Sequence, residues 1–186
     1  MEGNRDVKMD NNCHEGIRAK LRNIVPIILP ALFVMILFKC VLGIVIVPSE
    51  SMMPTIGTGA ICITWQLPFR INADAEEIER GDIVVFKPSG ESIYYIKRVV
   101  GLPGDTLEFS EGQVYLNGNL LTEDYLPEGT ETYSAISKFV VPDDSLFLMG
   151  DNRSNSRDSR FTETHFVEKG DVKAKLMFTI YKGEIS

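Results

Sequence analysis

Histidine is nearly missing from this chain, with two in 186 residues. His14 precedes a long apolar segment and His165 lies close to the C-terminus. A serine nucleophile with the usual histidine base has little to draw on here. Cysteine is also scarce. Cys13, Cys40 and Cys62 fall in three different zones of the chain, and only Cys62 lies in the part read below as globular. That excludes a disulfide framework within the domain and a cysteine zinc cluster. Cys40 and Cys62 read as small hydrophobes. Positive charge is in the minority, 19 Lys and Arg against 26 Asp and Glu, for a net charge of -7 and a pI of about 4.9. An acidic chain of this kind argues against a nucleic-acid partner. Internal repeats and low-complexity tracts are absent. The acidic residues are scattered and the histidines isolated, so no metal or cofactor is implied.

What the chain does have is one long apolar run. Residues Ile24 to Val47 contain a single charge, Lys39. A spanning helix needs about 20 predominantly apolar residues. The run exceeds the 7–15-residue core of a removable signal peptide, and no small-x-small site follows it before Pro48. The expectation is a permanent transmembrane anchor over 24–47. Lys39 leaves an alternative open: the span ends near it, and Cys40 to Val47 begins the folded domain as an apolar strand. Arg18, Lys20 and Arg22 precede the run, and the next basic residue after it is Arg70. Positive charge stays inside. Residues 1–23 are therefore expected as a cytoplasmic tail and 48–186 as an extracytoplasmic domain.

That domain reads as short strands separated by turns. Expected strands are Ala60–Trp65, Asp82–Lys87, Ile93–Val100, Thr106–Ser110, Gln113–Leu116, Lys138–Val141, Ser145–Met149 and Val172–Tyr181. Only Asn72 to Glu79 suggests a helix, short and acidic. The fold class is mainly β, a barrel or sandwich domain on one N-terminal transmembrane helix. Trp65 to Phe69 reads either as an apolar loop at the lipid interface or as core.

Three segments carry the chemistry. Ser51 follows the apolar run in Pro48-Ser49-Glu50-Ser51-Met52-Met53-Pro54-Thr55. Lys97 opens Lys97-Arg98-Val99-Val100-Gly101-Leu102-Pro103-Gly104-Asp105, and alternation puts it on one strand face with Ile93, Tyr95 and Val99. A lysine can serve as base where an apolar site lowers its pKa. A drop from about 10.4 to about 8 takes roughly 3 kcal/mol of differential desolvation. The third segment runs through Gly150-Asp151-Asn152-Arg153, Ser156 and Asp158-Ser159-Arg160. Each alone has a plain reading: a loop serine, a snorkelling or edge-protecting lysine, a solvated loop.

Together, and in this order, the three segments resemble the boxes of the bacterial type I signal peptidases, or leader peptidases, in their short single-span form. The resemblance implies a Ser-Lys dyad protease that needs no cofactor. Ser51 would be the nucleophile and neutral Lys97 the general base. Ser156 would orient the lysine amine. The Ser49 hydroxyl and the Ser51 backbone N–H would form the oxyanion hole. Asp158 would pair with Arg160 or Arg98 and hold the third box in shape, with Asp151 a second structural support.

Substrates would be secretory preproteins, cut after a small-x-small motif at the outer face of the bacterial cell membrane, near lipid and the protein-export machinery. Ser51 is four residues past Val47, so an extended chain keeps it within about 14 Å of that point. The substrate would lie as an added strand, with Val47, Met52, Ile56, Tyr94 and Ile96 as candidate pocket walls. Two rival readings remain: a protease that cleaves itself or one dedicated partner, and a non-catalytic anchored β module that binds peptides.

Overall fold

The computed structural model describes residues 22–36, 38–39, 41–66, 78–162 and 165–184. The chain divides into two compact units, with the boundary after Cys40.

In the first unit, residues 22–36 and 38–39 are helical. Their large apolar side chains are exposed, with Ile27 at 72 % and Phe33 at 65 %. No helix among the described residues is long and apolar enough to cross a membrane.

The second unit begins with a strand. Strand β1 covers Leu42–Ile46, so the apolar run is not helical to Val47 and its last part is the apolar strand of the alternative reading. β1 pairs in antiparallel register with β2, Ile61–Trp65. Pairing explains the change of structure. The alternating burial of β2 gives Val45 a buried neighbour in Cys62, and the two sit in one core cluster.

The remaining strands are β3 (Ile83–Phe86), β4 (Tyr95–Gly101), β5 (Thr106–Ser110), β6 (Gln113–Leu116), β7 (Asn119–Leu120), β8 (Lys138–Val140), β9 (Ser145–Met149), β10 (Val167–Glu168) and β11 (Val172–Tyr181). They form a seven-stranded sheet in the order β1-β2-β11-β3-β4-β9-β10 and a four-stranded sheet in the order β7-β6-β5-β8. All pairings are antiparallel. The expected all-β character holds, as two sheets rather than one ring. The expected helix over Asn72–Glu79 and the loop residues Leu67–Phe69 lie largely outside the described residues.

The two-residue period of a strand puts alternate side chains on opposite faces. Ile83 and Val85 join Val47, Met52, Ile56 and Ile96 in one core cluster. Val84 and Phe86 join Val99, Leu146 and Leu148 in another. A third cluster, with Leu107, Phe109, Phe139 and Phe147, joins the two sheets. Gly101 marks where they meet. A Cβ there would stand 2.6 Å from Leu107 Cδ1 and 2.9 Å from Phe147 Cβ, so only glycine lets β4 pass this close. The large sheet thus carries β4 and β9, and with them Lys97 and Gly150, on a rigid frame.

Candidate active site

Ser51 stands at the start of a turn that the core pins from below. The Met53 N–H donates to the Glu50 carbonyl at 3.0 Å and the Ile56 N–H to the Met52 carbonyl at 2.9 Å. Met52 and Ile56 are fully buried. Burying two such side chains contributes several kcal/mol. It leaves Ser51, between Glu50 and Met52, at the rim of the core, 8 % exposed.

Lys97 lies on β4 opposite Val84 of β3. It is 3 % exposed. Its Nζ donates to Ser51 Oγ at 2.6 Å and to the Ile96 carbonyl at 2.9 Å. Burial lowers its pKa from the ordinary 10.5 to about 8, against the opposing pull of the Asp158 and Asp151 carboxylates. Desolvation disfavours the ammonium more than those two charges restore it. Ser49 Oγ is 3.3 Å from Ser51 Oγ. No hydrogen bond among the described residues engages the Ser51 backbone N–H.

The third segment closes around this pair. The Asn152 N–H donates to the Ser51 carbonyl at 3.1 Å. Gly150 packs so tightly that a Cβ would stand 2.4 Å from that same carbonyl oxygen and 2.2 Å from Ser156 Oγ. Asp158 accepts from the Gly150 N–H and from Arg160 Nε and Nη2, each at 2.9 Å. Of the two arginines expected for it, Arg160 is the partner. Arg98 instead grips Asp151, Nε to Oδ1 at 2.8 Å and Nη2 to Oδ2 at 2.6 Å.

Two groups of expected site side chains sit apart from the reacting pair's contacts. The buried Ser156 Oγ has no hydrogen-bond partner among the described residues, the Lys97 amine included. Lys97 turns instead to Ser51 and its own strand's carbonyl. Of the candidate pocket walls, Val47, Met52, Ile56 and Ile96 are closed core, at most 6 % exposed. Only Tyr94 is open, and it faces a cavity of 500 Å³ together with Ile44, Val45 and Ile46 of β1, Val85 of β3 and Ala174 of β11. Apolar character made all five look alike in the sequence, and exposure separates them.

Several supporting residues are not singled out by the sequence. The Thr55 hydroxyl donates to Asp151 Oδ2 at 2.6 Å. The Tyr125 ring lies 3.9 Å from the Arg98 guanidinium carbon. Arg153, its side chain 1 % exposed, pairs with Glu123 at 2.5 Å. Thr55 and Arg153 sit inside conspicuous segments. Glu123 and Tyr125 sit in a polar connection whose composition carries no such signal. No metal-ligating cluster occurs among the described residues.

Comparison with known proteins bears on this geometry. The family model described as signal peptidase, peptidase S26, matches residues 21–181. The signal peptidase I of Bacillus licheniformis is 30 % identical over 168 residues, covering 86 % of this chain and 84 % of that protein. A probable signal peptidase I-2 of Synechocystis is 39 % identical over 123 residues, covering 62 % of this chain. The match spans about half the length of that relative, 53 %. A crystal structure of a signal peptidase I from Enterococcus faecalis is similar at 30 % identity and a TM-score of 0.45, covering 55 % of this chain and 98 % of that one.

Proposed function

The chain belongs to the signal peptidase family, peptidase S26, and on that footing we propose that it is a membrane-anchored serine endopeptidase that removes N-terminal signal peptides from exported preproteins. The single observation that carries the reading is the buried 2.6 Å contact between Lys97 Nζ and Ser51 Oγ.

The chemistry follows from that contact. Once it has shed its proton, the Lys97 amine has a free lone pair and accepts the Ser51 proton as Oγ attacks the scissile carbonyl carbon. The carbonyl oxygen becomes an oxyanion, and the Ser51 N–H and Ser49 hydroxyl are the donors within reach. Each such donor is worth about 2.7–4 kcal/mol in the transition state. The Lys97 ammonium then returns the proton to the leaving amine. An acyl-Ser51 remains. Water then gives a proton to Lys97 and attacks the acyl carbonyl; the C–O bond to Ser51 breaks, Lys97 hands the proton to the departing Ser51 Oγ, and the signal peptide leaves with a new C-terminal carboxyl group. Arg98, Asp151, Asp158 and Arg160 hold the frame.

β1 suits the substrate's approach. It is an outer strand of its sheet and so leaves one backbone edge for an added strand. The cavity beside it, lined by Ile44, Val85, Tyr94 and Ala174 with Gln66 and Lys173, is a mainly apolar recess for small side chains before the cut. The outer face of β1, β2 and β11 supports membrane contact. Ile44 lies across from Ile63, which lies across from Phe178; Ile46, Ile61 and Tyr181 repeat the row. Ile44, Ile46, Phe178 and Tyr181 are all more than half exposed. A contiguous apolar face of this kind suits a lipid surface. The apolar residues before β1 serve as a single-pass anchor with the 1–23 tail cytoplasmic and the remainder extracytoplasmic.

The test is cleavage of an Ala-x-Ala preprotein by the purified full chain, with N-terminal sequencing of the product. Ser51→Ala and Lys97→Ala should each abolish cleavage while leaving the circular dichroism spectrum unchanged. Retained cleavage by Ser51→Ala would overturn the nucleophile assignment.

A further inference from the structure

A second cleft, of 730 Å³, opens beside the Ser51 turn and shares no lining residue with the cavity at β1. Met53 and Pro54, just past the nucleophile, line it, with Asn152, Glu131, Tyr133 and Phe161. The geometry points to a substrate subsite here, one that takes the residues following the scissile bond. The inference rests on the endopeptidase reading above and extends it to the other half of the substrate.

Continuity with the reacting groups is the first argument. The Asn152 N–H is hydrogen-bonded to the Ser51 carbonyl at 3.1 Å, and its Nδ2 donates to the Glu50 carbonyl at 3.2 Å. The cleft's lining thus begins one hydrogen bond from the nucleophile's own backbone. A peptide whose carbonyl sits at Ser51 must leave in two directions. The cavity at β1 takes the residues before the cut, and this cleft is open to those after it. Three extended residues span about 10 Å.

The second argument is that the cleft is built in advance. Arg160, 1 % exposed at its side chain, is paired with Asp158 and donates through Nη1 to the Tyr133 carbonyl at 3.2 Å. Its guanidinium also lies 4.8 Å from the centre of the Phe161 ring. Arg153 donates to the Thr132 hydroxyl at 2.7 Å and to Glu123. Two buried, fully paired arginines therefore fix the segments bearing Tyr133 and Phe161, yet these side chains stay 60 % and 54 % exposed. Aromatic surface held rigid and left open is what a peptide needs for contact at low entropic cost.

Charge selects the occupant. Arg153 and Arg160 are buried and spent on Glu123 and Asp158. The accessible charge of the lining is the exposed Glu131. The subsite therefore accepts neutral or basic side chains at the second to fourth positions of the mature chain and disfavours acidic ones.

Two synthetic peptides test this with the full chain in detergent micelles. Both carry the same residues up to the cut; one has a single amidated residue after it and the other has five. The longer peptide should show a kcat/KM at least several-fold higher. Tyr133→Ala should lower the longer peptide's kcat/KM about two- to tenfold, and that of the shorter one less. Phe161→Ala is the second variant should Tyr133→Ala fold poorly. Lys should be preferred to Glu at the third position after the cut by roughly two- to fivefold, and Glu131→Lys should reverse that order. Equal kcat/KM for the two peptides, or an equal drop on both in the variants, would overturn the subsite while leaving the endopeptidase reading intact. Failure of the parent to cut either peptide would overturn both.

Discussion

Asp151 meets Arg98 edge to edge, two hydrogen bonds at 2.8 and 2.6 Å, with the carboxylate side chain wholly buried. The pair joins the strand of Lys97 to the third segment. Through Thr55, whose hydroxyl reaches the same carboxylate, it also joins the turn of Ser51. One carboxylate thereby ties together the segments that carry Lys97 and Ser51. It also touches their electrostatics, since it is one of the two anions that hold up the Lys97 pKa.

Replacing Asp151 by Asn separates these two roles. The buried Arg98 loses its counter-charge, and removing one member of a buried pair costs about 3–5 kcal/mol. Urea denaturation of Asp151→Asn should show a loss of that order. The Lys97 pKa should fall further, because a raising influence is gone. The acid limb of kcat/KM should therefore move to lower pH. A limb that stays put would show that Asp151 acts on geometry alone, and one that moves up would contradict its raising influence on Lys97.

For the parent chain, the proposed mechanism makes the acid limb a report on Lys97. Below pH 8 the amine is increasingly protonated and cannot take the Ser51 proton. kcat/KM should rise with pH through a midpoint of about 8. On the acid side it should fall about tenfold per pH unit, the slope of one titrating base. A flat profile from pH 5 to 9 would remove the lysine base.

Much of this is legible in the amino-acid sequence. The strands Thr106–Ser110, Gln113–Leu116, Ser145–Met149 and Val172–Tyr181 fall where alternation and turn residues put them. Those signals are local. β10 and β7 are only two residues long, too short to show a period, and exist because a neighbouring strand has an edge for them. β1 was ambiguous because a buried strand and a spanning helix are both continuous apolar runs. Only its pairing with β2 decides, and pairing is a long-range fact. The site divides the same way. Ser51, Lys97, Asp151 and Asp158 stood out by their settings in the segments. Which arginine meets which aspartate, and which apolar residues remain open, depends on how separate strands pack.

Gly150 gives a prediction that the sequence alone could not. A methyl group there would lie 2.4 Å from the Ser51 carbonyl oxygen, so the Ser51 backbone must shift. Displacement of about 1 Å at a reacting group can cost about 100-fold. Gly150→Ala should lose at least that in kcat/KM. Gly170→Ala, where a Cβ would meet nothing within 4 Å, is the control and should retain parental activity. Parental activity in Gly150→Ala would mean that the turn tolerates the shift.

The last prediction concerns what the buried base does to the fold. The unfolded chain holds the Lys97 proton up to about pH 10.5, the folded chain only to about 8. Between those values the unfolded state binds more protons, so the stability contributed by this group rises with pH across that window. Below pH 8 both states are charged and the folded one carries the whole cost of burial, roughly 3 kcal/mol. Lys97→Met keeps the apolar stem and removes the ammonium. It forfeits two hydrogen bonds, to Ser51 and to the Ile96 carbonyl, at about 1 kcal/mol each, so a net gain of roughly 1 kcal/mol at pH 7 is expected. Urea unfolding should find the variant more stable than the parent at pH 7, with the difference shrinking as pH approaches 10. A variant less stable at pH 7 would mean that the ammonium is well solvated or paired where it stands, and the case for a low-pKa base would fail with it.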